Sequence, residues 1–126
     1  MGNILWVGLG GFIGSILRYA VSGFVNLVAF GSIFPYGTFI VNVAGCLAIG
    51  LLAGIAETRG VFSEQTKMFL FIGLIGGFTT FSTFAFESLQ LLKGSQGMLA
   101  MLNLVFQSVL GLGGVWAGQT ISRLGS

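Results

Sequence analysis

Four long apolar segments dominate this chain and leave few folds open to it. They run over about residues 4–28, 37–56, 68–92 and 98–121, and each is close to the roughly 20 residues that a helix needs to cross a bilayer core. The chain is 55% hydrophobic and only 6% charged, a composition that a water-soluble domain does not have. We therefore predict one domain, residues 1–126, that is an all-α integral membrane protein with four transmembrane helices.

The supply of reactive side chains argues against an enzyme. The chain contains no histidine, three carboxylates and a single cysteine, Cys46, so most catalytic and metal-ligating constellations cannot be assembled from it. Its five basic residues are scattered rather than clustered, which is not the pattern of a nucleic-acid-binding surface. We expect neither catalysis nor a nucleic-acid partner.

The third apolar segment contains a stretch, GGFTTFSTF at residues 76–84, that is poorly suited to an unbroken helix. Gly76 and Gly77 each cost about 1 kcal/mol relative to alanine in a helix interior. The hydroxyl groups that follow, from Thr79 to Thr83, compete with the backbone for hydrogen bonds. Inside a membrane, non-helical backbone is tolerated where it is buried in protein or lines a polar cavity, and its carbonyls are available to cations. We predict that the third helix is broken mid-membrane, at an ion site.

Polar side chains inside the apolar segments recur at helical spacing. Thr38 and Asn42 lie four residues apart in the second segment, as do Asn103 and Gln107 in the fourth, so each pair shares one helix face. Such a face either joins helices by hydrogen bonds or lines a pathway. Glu87 is the only carboxylate well inside an apolar segment, and it is either a functional residue or a hydrated group at the membrane surface.

Glycine pairs and the charge distribution bear on assembly. Every segment has two glycines four residues apart, which predicts close helix packing, and we expect these glycines and the polar faces to meet a second copy of the chain. The basic residues divide three against two between the two sides of the membrane, a near tie that permits insertion in both orientations. An antiparallel homodimer is the expected assembly.

Residues 76–84, followed by Glu87, resemble the signature of the Fluc (CrcB) family of fluoride channels. Residues 10–19, GGFIGSILRY, resemble the first-helix motif of that family, and residues 37–45, GTFIVNVAG, resemble its second-helix motif. The length and the number of segments also match. The resemblance covers nearly the whole chain and is weakest in the fourth segment, where many members carry a tyrosine and a serine instead of Asn103 and Gln107.

The resemblance implies a fluoride-selective passive channel that exports cytoplasmic fluoride and so confers fluoride resistance. It also implies an antiparallel, dual-topology homodimer in the lipid bilayer of the inner cell membrane of a bacterium, with two pores. A structural sodium ion would lie at the centre, held by backbone carbonyls at the positions of Gly76 and Thr79 in both subunits. No organic cofactor is implied.

The resemblance further assigns residues to the fluoride pathway. Phe81 and Phe84 match the paired phenylalanines of the family, whose ring edges carry the positive end of the aromatic quadrupole and so attract an anion. Asn42 matches an asparagine whose amide donates hydrogen bonds to fluoride. Further hydroxyl groups would continue the pathway: Thr38, Ser82 and Thr83.

Four other positions have less defined roles. Arg18 would supply positive potential to an aqueous vestibule. Glu87 matches a glutamate of the family, and its state of ionisation does not follow from the sequence. Asn103 and Gln107 can still donate hydrogen bonds as amides, and they tune the rate of conduction if they do not contact the ion.

Two other classes of protein share some of these features. A small four-span proton-coupled multidrug exporter has the same size, dual topology and dimerisation, but its mechanism needs a membrane-embedded carboxylate in the first helix, where this chain offers only Arg18. A non-transporting assembly or anchoring protein would use the polar faces and glycines for packing alone. The exporter leaves the interrupted third segment unexplained, and the assembly or anchoring protein would conduct no ions; we expect the channel.

Overall fold

A computed structural model describes residues 2–125, and all of its regular secondary structure is helical. Four of the described helical spans are long and apolar enough to cross a membrane, and the third is interrupted. We name the helices α1 (Gly2–Val28), α2 (Tyr36–Arg59), α3 (64–78), α4 (Phe81–Lys93) and α5 (Gly97–Leu124). The protein is therefore a multi-pass, all-α membrane protein, as predicted, and its spans extend beyond the predicted limits by no more than about one turn.

Local chemistry explains why the third span begins before its apolar run. The side-chain oxygen of Ser63 accepts a hydrogen bond from the backbone nitrogen of Thr66 at 3.2 Å and so caps the helix. Glu64 lies in the first turn, where the helix dipole favours negative charge. The helix consequently starts at Glu64, about one turn before the predicted Met68.

The interruption of the third span lies just beyond the two glycines that predicted it. Gly76 and Gly77 are helical, whereas Thr79 and Thr80 have extended backbone, with φ of −87° and −150°. The break therefore lies within the predicted stretch, residues 76–84, and leaves its two glycines in the helix. Gly77 stays helical because it allows α3 to approach α1: a Cβ there would lie 2.9 Å from the carbonyl oxygen of Gly11.

Before the break, α3 winds irregularly. Its middle part, Met68–Ile75, has the wider π-helical hydrogen bonding, between α-helical turns at Glu64–Lys67 and Gly76–Phe78. A π-helical segment is rare and is usually associated with a functional region. It ends here at the residues that precede the break.

The glycine pairs pack between helices of the same chain, whereas the sequence-based expectation places them against a second copy. The helices associate chiefly in two pairs, α1 with α3 and α2 with α5. A Cβ on Gly73 would lie 2.6 Å from the carbonyl oxygen of Val7 in α1, and one on Gly118 would lie 2.5 Å from that of Leu47 in α2. Both pairs are therefore held at a distance that only glycine permits.

Polar groups are concentrated inside this bundle and apolar groups outside it, the reverse of a soluble protein. Large apolar side chains are exposed on every membrane-spanning helix, among them Phe12, Leu47, Phe86 and Trp116. Six polar side chains are instead buried: Thr38, Thr80, Ser88, Asn103, Gln107 and Ser122. The first five of these lie around or near the break.

Candidate functional site

Asn42 in α2 holds the interrupted backbone by two hydrogen bonds. The backbone nitrogen of Thr80 donates to Asn42 Oδ1 at 2.8 Å, and Asn42 Nδ2 donates to the carbonyl oxygen of Thr80 at 3.0 Å. The side-chain amide of Asn42 thus provides hydrogen-bond partners for both backbone polar groups of Thr80, in place of the missing turn of helix. Because a backbone group without a partner is costly away from water, Asn42 is what makes the break tolerable.

Threonine hydroxyls restart the helix after the break. Thr80 Oγ1 accepts a hydrogen bond from the backbone nitrogen of Thr83 at 3.2 Å, and so caps α4. The same oxygen lies 3.0 Å from Thr83 Oγ1 and 3.3 Å from Ser82 Oγ. The predicted pathway hydroxyls of Ser82 and Thr83 are therefore part of the capping cluster.

The break leaves the carbonyls of residues 76–79 without their helical partners, and two of them belong to the residues predicted to hold a cation. In an unbroken helix the Gly76 carbonyl would bond the nitrogen of Thr80, which here donates to Asn42. The Thr79 carbonyl would likewise bond the nitrogen of Thr83, which here donates to the Thr80 hydroxyl. Carbonyl oxygens freed in this way are suitable ligands for a hard cation.

Two phenylalanines stand at the start of α4, beside a cavity of about 360 Å³. The rings of Phe81 and Phe84 meet edge to face, with centroids 5.6 Å apart and planes at 65°. Phe84 is buried, whereas 77% of Phe81 is exposed. Asn42, Thr80 and Gln107 also line this cavity, and no charged side chain does. The cavity therefore offers phenyl rings and polar groups in an uncharged setting.

The polar faces of α2 and α5 meet at this point. Asn42 Nδ2 donates to Gln107 Oε1 at 2.9 Å, and Gln107 Nε2 donates to Asn103 Oδ1 at 2.8 Å. Asn103 Nδ2 in turn donates to Ser88 Oγ in α4 at 2.9 Å. Ser88 is a member of the site that sequence reasoning missed, although its spacing from Phe84, four residues earlier, places both on one helix face.

Arg18 lies on the other side of the break, at a polar cavity of about 250 Å³. Thr38, Thr80 and Thr83 line the same cavity, and Arg18 is its only charged residue. Arg18 is half-buried and pairs with no carboxylate in the described residues. The cavity is therefore a positively charged recess, and Thr80 is part of its wall.

Glu87 is not part of either cavity. It lines a separate cavity of about 500 Å³, together with Asn26, Gln90 and the loop that contains Pro35. Glu87 Oε1 is buried and has no hydrogen-bond partner among the described residues. The structure thus brings most predicted site residues to the break, whereas Glu87 lines a separate cavity and its carboxyl interacts with the side chain of Thr38.

Replacement of Asn42 by leucine should destabilise the protein. The substitution leaves the nitrogen and carbonyl of Thr80 unpaired, and each buried backbone group without a partner costs about 1–3 kcal/mol. We expect a lower thermal unfolding temperature in detergent and faster hydrogen exchange at the Thr80 amide. Thr58→Val is the control, since it removes a hydroxyl in α2 that bonds only the carbonyl of Gly54 in its own helix. Equal stability and exchange in the two variants would contradict the clamp.

Comparison with known proteins identifies the family of this chain. The family described as CrcB-like protein, Camphor Resistance (CrcB), matches residues 5–119. A protein of Flavobacterium psychrophilum named fluoride-specific ion channel FluC is 42% identical over 98% of each chain. One of Chloroflexus aurantiacus with the same name is 46% identical over 98% of this chain and 97% of its own. One of Methanosarcina acetivorans, named fluoride-specific ion channel FluC 1, is 43% identical over 94% of this chain and 89% of its own. The protein belongs to the CrcB family.

Proposed function

We propose that this protein is a fluoride-selective passive ion channel, as its relatives in several species are named. The observation that carries the proposal is the cavity at the break, where Phe81 and Phe84 stand beside amide and hydroxyl groups and no charged residue. Ring edges attract an anion without a fixed positive charge, so the anion is not trapped by an ion pair. Conduction requires binding of this moderate strength.

A dehydrated fluoride ion needs hydrogen-bond donors along its path. On one side of the break, Arg18 raises the local concentration of anions, and the hydroxyls of Thr38 and Thr83 line the same recess. On the other side, Gln107 keeps a second amide hydrogen beyond its bond to Asn103. Both amide hydrogens of Asn42 are engaged, so Asn42 reaches fluoride only by exchanging one of these bonds. We place the fluoride pathway on these two sides of Thr80.

An antiparallel homodimer with two pores would complete the site. The cavity at the break is open in one subunit and Phe81 is largely exposed, so a second copy would supply the missing wall and shield the ring. Exposed apolar residues on every span provide surface for both lipid and a partner. The break lies near the middle of the Glu64–Lys93 span, so two copies inserted in opposite directions would bring their breaks together at mid-membrane.

The carbonyls of Gly76 and Thr79 fit a structural sodium ion at the dimer centre. Both have lost their helical hydrogen bonds, and oxygen is the ligand that a hard cation prefers. Bound there, a cation would supply positive charge that compensates the converging carbonyls of two subunits. The fluoride pathway itself runs through side chains of the chain and does not require the cation as a step.

The direction of transport follows from the driving force. We place the protein in the inner membrane of a cell whose interior is negative, where the potential is worth about 2.3 kcal/mol per charge for each 100 mV and drives an anion outward. Fluoride that enters as neutral HF and dissociates in the cytoplasm would then leave through the pore. A proton-coupled multidrug exporter is not favoured, because α1 contains no carboxylate and Glu87 lies outside the cavities at the break.

Fluoride efflux from liposomes tests the function. Purified protein should release fluoride rapidly and chloride negligibly, measured with ion-selective electrodes. Phe81→Ile should reduce fluoride release by about tenfold or more, because it removes the ring edge at the cavity. Phe86→Ile is the matched control, since Phe86 is an exposed ring in the same helix and does not line this cavity. Absence of fluoride release from folded wild-type protein would overturn the proposal.

Sodium removal tests the proposed metal site. Replacement of sodium by N-methyl-D-glucamine at equal ionic strength should lower the unfolding temperature, since a ligand at about 100 times its Kd stabilises by about 2.7 kcal/mol. Thr79→Val should retain this sodium dependence, because it removes only the hydroxyl, which bonds the carbonyl of Ile75. Identical unfolding in both salts, or loss of the dependence in Thr79→Val, would argue against backbone coordination at this position.

A further inference from the structure

The amide groups around the break form one continuous chain of hydrogen bonds. It starts at the backbone nitrogen of Thr80, passes through Asn42 in α2, and continues through Gln107 and Asn103 in α5. It crosses to α4 through Ser88, whose hydroxyl donates to the carbonyl oxygen of Phe84 at 2.8 Å. The chain therefore begins and ends on the third span, at the residue before Phe81 and at the residue three positions after it.

Every member of this chain donates in the same direction. Each side-chain amide accepts through its oxygen from the member before it and donates through its nitrogen to the member after it. A flip of one amide would place two nitrogens or two oxygens against each other, so one member cannot reverse alone. Aligned hydrogen bonds in a low-dielectric interior also strengthen one another. The chain thus acts as a unit with a single arrangement.

The links between the two ends of this chain are deeply buried. Asn103 has no exposed surface, and Ser88 and Gln107 are 5% and 8% exposed. Their polar groups are engaged with each other, so water is not available to replace a lost link. Removal of any one link leaves a buried polar group without a partner on each side of the gap.

We propose that Asn103 is a positioning residue and that Gln107 has the same role besides offering its second amide hydrogen to fluoride; together they determine anion selectivity by fixing Asn42 and the first turn of α4. The proposal rests on the proposed channel function and deepens it. Gln107 occupies one of the two amide hydrogens of Asn42, while Thr80 occupies the other, so the orientation of Asn42 is set from α5. At the far end, Ser88 links Asn103 in α5 to the backbone carbonyl of Phe84 in α4. The spacing between the break and the Phe84 ring is thereby fixed.

A double-mutant cycle on the ratio of fluoride to chloride efflux tests this assignment. The variants are Gln107→Leu, Ser88→Ala and their combination, reconstituted in liposomes as monodisperse protein. Ser88→Thr keeps the hydroxyl, and Thr120→Val is the control, because the Thr120 hydroxyl bonds only the carbonyl of Trp116 in its own helix. We expect each single variant to lower the ratio about tenfold, as loss of a buried amide hydrogen bond allows.

The double variant distinguishes a coupled chain from separate contacts. If the chain acts as a unit, the double variant should be no worse than the poorer single variant, and Ser88→Thr should retain the wild-type ratio. Effects that multiply in the double variant, or a wild-type ratio in Ser88→Ala, would overturn the positioning role. Wild-type protein without fluoride efflux would instead overturn the channel function, so the two failures are distinguishable.

Discussion

A peptide that leaves the helix in a medium without water must find other partners for its nitrogen and carbonyl, and this requirement organises the structure. Asn42 provides both partners for Thr80. This has three consequences: α2 is fixed against the third span, α4 starts at a defined residue, and the Gly76 carbonyl loses its helical hydrogen bond. A single amide therefore links the fold to the site.

The rest of the bundle supplies the conditions under which that amide works. Glycines bring α1 against α3 and α2 against α5 at contacts that any larger side chain would prevent, as at Gly73 and Gly118. Close packing excludes water, so the polar groups that remain inside depend on one another. This explains why residues such as Asn103, which no soluble core would favour, are fully buried here. Apolar side chains are left for lipid and for a partner subunit.

Much of this could be predicted from the sequence, because hydropathy and helical spacing are local properties. Four spans and an interrupted third helix follow from them. So do the polar helix faces, one of which contains Asn42 and the other Gln107. Within the predicted stretch, the extended residues are Thr79 and Thr80 rather than the glycines, because glycine weakens a helix in isolation but Gly77 packs against α1 here. Tertiary packing outweighed propensity at that point.

Other parts depend on contacts between distant segments. The sequence shows that Asn42 and Asn103 are polar, but not that Gln107 lies between them or that Ser88 completes the chain. It also suggested that the glycines pack against a second subunit, whereas the structure shows them packed between helices of one chain. Such pairings are set by how the spans are arranged, and periodicity within one span contains no information about that arrangement.

The most direct test of a passive fluoride pore is the current across a planar bilayer that contains the purified protein, recorded under a fluoride gradient with chloride equal on both sides. A channel predicts a reversal potential equal to the fluoride equilibrium potential and unchanged by an imposed pH gradient. Absence of fluoride current, or a reversal potential that follows the proton gradient, would contradict the account and indicate coupled transport.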